Sequence, residues 1–334
     1  MSFFAVLLAL VAEQLKPLPR IDDVHQALLG WMRWTGRNFN AGGERHAWVV
    51  WSVTAVLPAL VAWGVHAGLA GISGLLALAW SVGVLYLTLG FRQFSHYFTD
   101  IRDALDRGDE ALARQRLAAW RHLDASELPR TELLRHVLEH SLLAAHRHVF
   151  GVFFCFVVFA ALGFGPAGAV LYRMASFASG YWAARSRSPG SPSDDRLRAL
   201  SQRLFTLIDA VPARLTAFGF AVVGNFEEAV TCWRRDAVLW RHPNDGVILA
   251  AAAGAVGVRL GGGAAVPGAA AAAAEAGLAP DAAMAGADTV ESDGSTPGLP
   301  PQLGHLRSVV GLVWRSVVLW MLLLALLSLA NLIG

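Results

Sequence analysis

A helix that crosses a bilayer needs about 20 mainly apolar residues, and this chain repeats that pattern along its length. Residues 47–67 qualify, with His66 near their end. Residues 68–91 form a second run, with Gly68 and Gly71 suited to a tight turn between the two. Residues 149–172 form a third, interrupted by Gly163, Gly165, Pro166 and Gly168, and residues 309–333 a fourth, carrying Arg315 near its start. Such a chain is expected to be all-α and polytopic, with about five spans. Composition agrees: 55% of its 334 residues are hydrophobic and 16% charged, where a soluble domain carries about a quarter charged.

Two further segments fit more than one reading. Residues 204–223 have the length of a span but contain Asp209, Pro212 and Arg214; an interfacial or core helix fits equally, since intramembrane charges are costly and tend to be paired or functional. Residues 246–260 are rich in Ala and Gly and suit a close-packed or re-entrant helix. The apolar start, residues 3–11, has no preceding cation and is followed by Glu13, Gln14, Lys16 and Pro17. That is unlike a secretory signal, so it is expected to be retained as a short spanning or half-inserted helix.

The polar stretches divide the rest. Residues 92–148 hold nine Arg and nine acidic residues. Their apolar spacing predicts an amphipathic cytoplasmic insertion of two helices, 100–120 and 129–145, with a break at 124–129. Residues 173–203 form a second basic connector, and 261–302 are low-complexity, Ala/Gly/Pro-rich and expected to be disordered. The expected organisation is therefore 1–46, 47–91 (a hairpin), 92–148, 149–262 (the membrane core), 263–307 (a linker) and 308–334 (a last span). The Arg-rich segments 16–45 and 92–148 belong on one side, the cytoplasm, by the positive-inside rule. A count of spans puts the basic 173–203 segment on the opposite side, a conflict that the span assignment leaves open.

Function classes narrow accordingly. A net charge of +2 is too mild for a nucleic-acid partner, and Cys155 and Cys232 match no metal spacing. His136 and His140 stand i, i+4 beside Glu139, but without a His-Glu-x-x-His arrangement they suit a polar or pH-responsive interface as well as a metal, and no metal site is expected. No P-loop is present, and Gly261-Gly262-Gly263 opens low-complexity sequence rather than a helix. Two clusters carry possible chemistry: Asp209 with Arg214 flanking Pro212, expected as a neutralising pair beside a kink, and His242-Pro243-Asn244-Asp245-Gly246, a turn. Asn225-Phe226-Glu227-Glu228 reads as a helix start.

In this order the clusters resemble the CobD/CbiB family, the adenosylcobinamide-phosphate synthases of cobalamin biosynthesis. The similar pieces are the Arg-containing amphipathic helix, the run Gly165-Pro166-Ala167-Gly168 through Tyr172-Arg173, Val211-Pro212-Ala213-Arg214-Leu215, and Pro243-Asn244-Asp245-Gly246 through Gly257-Val258-Arg259-Leu260-Gly261-Gly262. The opening residues and Pro212 through Ala229 also resemble the AmpE branch, inner-membrane proteins linked to sensing in β-lactamase regulation. The resemblance implies ATP-dependent amide formation joining aminopropanol or its phosphate to a carboxylate of adenosylcobyric acid, with acidic groups for Mg²⁺ and nucleotide.

The synthases carry a Glu-Ser-x-x-Glu-Asn-x-x-Asp-Gly signature. Glu139 matches its first Glu, while Leu143, Ala144 and Arg147 occupy its later Glu, Asn and Asp places. Ser176-Phe177-Ala178-Ser179 stands where they have Asn-Thr-Leu-Asp. The expectation is an inner-membrane protein of this family with degenerate ligase motifs, a non-catalytic AmpE-like sensing or binding protein. The alternative is an active synthase using ATP and Mg²⁺. A transporter has no internal repeat to support it. The ligand-binding candidates are Glu139, Arg173, Asp209, Arg214, Asn244 and Asp245. The expected partners are the lipid bilayer and a corrinoid or a cell-wall-derived small molecule.

Overall fold

The computed structural model describes residues 2–15, 21–40, 42–89, 91–121, 125–126, 128–185, 192–262, 290 and 292–333. Among them there is no strand, only helices and three isolated β-bridges. The helices are α1 (Ser2–Leu15), α2 (Ile21–Phe39), α3 (Glu44–Trp51), α4 (Leu57–Ile72), α5 (Gly74–Thr88), α6 (Phe91–Asp106) and α7 (Glu110–Arg121). They continue with α8 (Arg130–Ala145), α9 (Gly151–Ala161), α10 (Ala167–Arg185), α11 (Pro192–Val223), α12 (Phe226–Asp236), α13 (Pro243–Val256) and α14 (Leu303–Ile333). A π turn, Ser52–Val56, joins α3 to α4, and another, His146–Phe150, joins α8 to α9.

Four stretches are long and apolar enough to cross a membrane: Glu44–Ile72, Arg130–Ala161, Asp195–Val223 and Leu303–Ala330. Two shorter apolar helices, Phe3–Glu13 and Gly74–Thr88, accompany them. The chain is thus a helical, multi-pass membrane protein. Its exposed large side chains include Leu60, Val61, Val318, Leu322 and Leu327, an apolar surface suited to lipid. The ambiguous 204–223 segment belongs to a spanning-length helix, which continues through Pro212.

Residues 149–172 are not one span, contrary to expectation. The chain leaves helix at Leu162 and turns on Gly163 and Gly165, whose φ values of 84° and 55° suit glycine. α10 then returns against α9. Gly168 backs onto the Cys155 carbonyl, and Gly151 faces the Tyr172 ring, so that a Cβ at Gly168 would lie 2.1 Å from the Cys155 oxygen. This hairpin resolves the charge conflict. His66 and Trp63 of α4 meet the turn at Gly165 and Phe164, whereas at the other end Arg196 donates to the Gly42 carbonyl and Gly36 of α2 lies against Trp182. The described parts of the basic segments 16–45 and 173–203 therefore share one end of the molecule.

The 100–120 segment also differs from a single helix. It breaks between α6 and α7 at Gly108, φ 78°, and Asp109 caps α7 by accepting from the Leu112 N–H. Part of the low-complexity region is ordered too. Asp293 donates to the Leu239 carbonyl, Thr296 to that of Leu260, and Leu299 to that of Gly257. Residues 263–289 lie outside the described residues. α13 is buried along most of its length, with Ala250 to Ala253 wholly enclosed, and its small side chains let α12 approach: a Cβ at Gly254 would lie 2.3 Å from the Glu228 carbonyl.

Candidate functional site

Two polar clusters sit inside this apolar bundle. The first centres on Asp209 of α11, 2% exposed. The Tyr172 hydroxyl of α10 donates to its Oδ1 at 2.7 Å, and Asn244 Nδ2 of α13 donates to its Oδ2 at 3.1 Å. His146 Nε2 stands 2.8 Å from Oδ1, and His146 Nδ1 lies 2.9 Å from the Thr216 hydroxyl. Donation from Nε2–H to Asp209 leaves Nδ1 to accept from Thr216. Asn244 completes its amide by donating to the Thr206 carbonyl at 3.0 Å. A carboxylate this enclosed persists only when its oxygens are bonded, and here two helices, α10 and α13, and a π turn supply the donors.

Beside it, Arg147 reaches both carboxylate oxygens of Asp245, at 3.0 and 3.1 Å. Their side chains are 17% and 13% exposed, making this the most open part of the first cluster. Asn244 and Asp245 are placed by α13 itself, whose first turn carries Pro243, and an acid there also suits the helix dipole.

The second cluster is on α8. Arg135 Nη1 donates to both oxygens of Glu139, at 3.0 and 3.1 Å, and its Nε and Nη2 both donate to Glu132 Oε2, at 3.0 and 2.6 Å. Glu139, fully buried, also accepts from the Gly261 N–H at 2.7 Å. Gly261 has φ 78°, and a Cβ there would lie 2.4 Å from the Gly294 carbonyl, so glycine alone lets the backbone come this close.

Of the expected ligand-binding residues, Asp209, Asn244 and Asp245 therefore come together, and Glu139 belongs to the neighbouring cluster. Arg173 is half-buried on α10 next to Tyr172. Arg214 does not pair with Asp209. It is exposed and donates to the Ala210 carbonyl at 2.7 Å, because five residues along a helix rotate a side chain by about 140°. His146, Arg147, Tyr172 and Thr216 are members that spacing did not single out. His136 and His140 also diverge: His136 meets Arg135 at 3.3 Å, while the His140 ring packs edge-on against Trp120.

These groups do not fit a magnesium–nucleotide complex. Such a complex needs carboxylate oxygens open to the cation, and the oxygens of Asp209, Glu139 and Asp245 are bonded to protein donors. Among the described residues no group of three or more His, Cys, Asp or Glu could hold a metal ion. What the arrangement offers is a neutralised polar seam, most exposed at Arg147 and Asp245.

Comparison with known proteins places this geometry in context. A family model described as the CobD/Cbib protein matches residues 3–289. A cobalamin biosynthesis protein CobD of Stutzerimonas stutzeri (strain A1501) is 33% identical over 284 residues, 85% of this chain and 82% of the relative. A protein of the same description from Chromobacterium violaceum is 35% identical over 192 residues, 57% of this chain and 58% of its own length. One from Leptospira interrogans (strain Fiocruz L1-130) is 26% identical over 187 residues, covering 54% and 56%. No solved structure matches.

Proposed function

The chain belongs to the CobD/CbiB family, and from that premise we propose that it serves cobalamin biosynthesis as a membrane protein that binds a corrinoid intermediate without ligating it. It would lie in a bacterial inner membrane with its basic end in the cytoplasm, in the manner of the AmpE-like sensing branch. The observation that carries this reading is the state of the carboxylates. Glu139, Asp209 and Asp245 are each held by residues of this chain, and Arg147 stands at an acidic place of the signature. The seam of Asp209, Asn244, Asp245 and Arg147 would meet polar groups of the corrinoid periphery, with Tyr172 and His146 fixing Asp209 behind it.

A second reading, active adenosylcobinamide-phosphate synthase, is favoured by the names of the relatives, all cobalamin biosynthesis proteins CobD. Complementation separates the two. The chain is expressed in a cell lacking cobinamide-phosphate synthase, fed adenosylcobyric acid, and scored for cobalamin-dependent growth. The expected result is no growth, with folded protein in the membrane fraction that retains the coloured corrinoid on gel filtration and loses it in Asp209→Ala. Growth that Asp209→Ala abolishes would establish the synthase instead.

A further inference from the structure

Arg147 is a cation that reaches into the first cluster, and its partner Asp245 follows directly on the residue that holds Asp209. Residues 209, 244, 245 and 147 thus form one continuous seam across α11, α13 and the π turn. An enclosed carboxylate needs a counter-charge in fixed geometry. A divalent ion can supply it in an all-oxygen site, but here the Arg147 guanidinium does so for the largely covered Asp245, with both oxygens engaged, while the adjoining Asp209 is held by His146, Tyr172 and Asn244. The neighbouring cluster repeats the device, with Arg135 neutralising Glu132 and Glu139 at once.

We infer that Arg147 does in this chain what a divalent cation would do, so that the site takes its ligand without one. The inference deepens the binding reading above and rests on it for the ligand. A tethered charge differs from an ion in one respect that can be measured: it neither dissociates nor exchanges. Charge reversal would replace the guanidinium by a carboxylate on a shorter side chain, leaving between positions 147 and 245 a gap lined by two acids, beside Asn244 and the Asp209 that it holds. Mutual repulsion would then favour any small divalent cation able to bridge them.

The test uses the full-length protein in lipid nanodiscs and Mn²⁺ alone as the probe, with free ion read by electron paramagnetic resonance. The wild type is expected to bind no Mn²⁺ above empty nanodiscs, and chelators are expected to leave its melting temperature unchanged. Arg147→Asp is expected to gain about one Mn²⁺ per chain, at least tenfold tighter than the wild type, and to melt higher in its presence. The double exchange Arg147→Asp with Asp245→Arg restores the pair and is expected to lose the Mn²⁺ again. Should Arg147→Asp not fold, Arg147→Gln carries the test, and Mn²⁺ is expected to return part of the stability it loses. Stoichiometric Mn²⁺ on the wild type, abolished by Asp245→Asn, would overturn the inference. So would a folded Arg147→Asp that gains no Mn²⁺, or an Arg147→Gln that Mn²⁺ does not stabilise. Growth in the complementation assay bears on ligation alone and leaves the Mn²⁺ result standing, so the two readings fail separately.

Discussion

Asp209 and Arg214 stand five residues apart on one helix, yet one is enclosed by three donors and the other faces outward. Helical rotation decides this. The presence of an acid in an apolar run was legible in the sequence as an expensive feature in need of a partner. The identity of that partner was not, because His146 and Tyr172 lie 63 and 37 residues away along the chain. Outside the spanning helices, Cys232 of α12 illustrates a similar burial. Desolvation, and secondarily the charge of Asp236, push its thiol up to about 11. Only the thiolate alkylates, so at pH 8 its reactive fraction should be on the order of a hundredfold below that of an ordinary thiol. Iodoacetamide labelling of the folded protein should be slow at pH 8 and rise steadily with pH up to about 11. A rate at pH 8 equal to that of free cysteine would contradict the burial.

At the scale of elements, the hairpin of α9 and α10 was half visible. Gly163, Gly165 and Pro166 interrupt the apolar run in the sequence, but apolar residues continue on both sides and make the run look like one span. What closes the hairpin is contact between Gly168 and the Cys155 carbonyl, which no local pattern encodes. Gly168→Val should therefore destabilise the protein by about 3 kcal/mol or more through overpacking against backbone. Gly64→Ala offers the contrast. Nothing lies within 4 Å of a Cβ there, on α4, and the better helix former should be neutral or stabilising by up to about 1 kcal/mol. Thermal melts of both variants in detergent test this, and an unchanged melt for Gly168→Val would refute the packing. The break between α6 and α7 is the opposite case. Gly108 followed by Asp109 is a local stop and cap, set within apolar spacing that continues on both sides.

For the whole molecule, the hairpin brings the end of α10 and the start of α11 back to the end that already holds Gly42 and the start of α3, as the contact from Arg196 to the Gly42 carbonyl records. Phe164, packed on Trp63, marks the opposite end. The two should lie on opposite sides of the membrane. In spheroplasts, a membrane-impermeant maleimide should label Phe164→Cys directly and Arg196→Cys only after permeabilisation. Labelling of both from outside would break the proposed topology.

The sequence by itself determined the solvent of this protein and most of its helices. Runs of twenty apolar residues, glycine breaks and basic connectors act locally, each through its own transfer free energy. It also carried enough of the motif order to indicate the family. Only the tertiary structure decided which carboxylate meets which cation. Ion pairs such as Arg147 with Asp245, separated by 98 residues, depend on helix rotation, on the return of a hairpin and on glycine contacts between backbones. These are properties of the packed bundle, set where side chains from distant segments must satisfy one another in the absence of water.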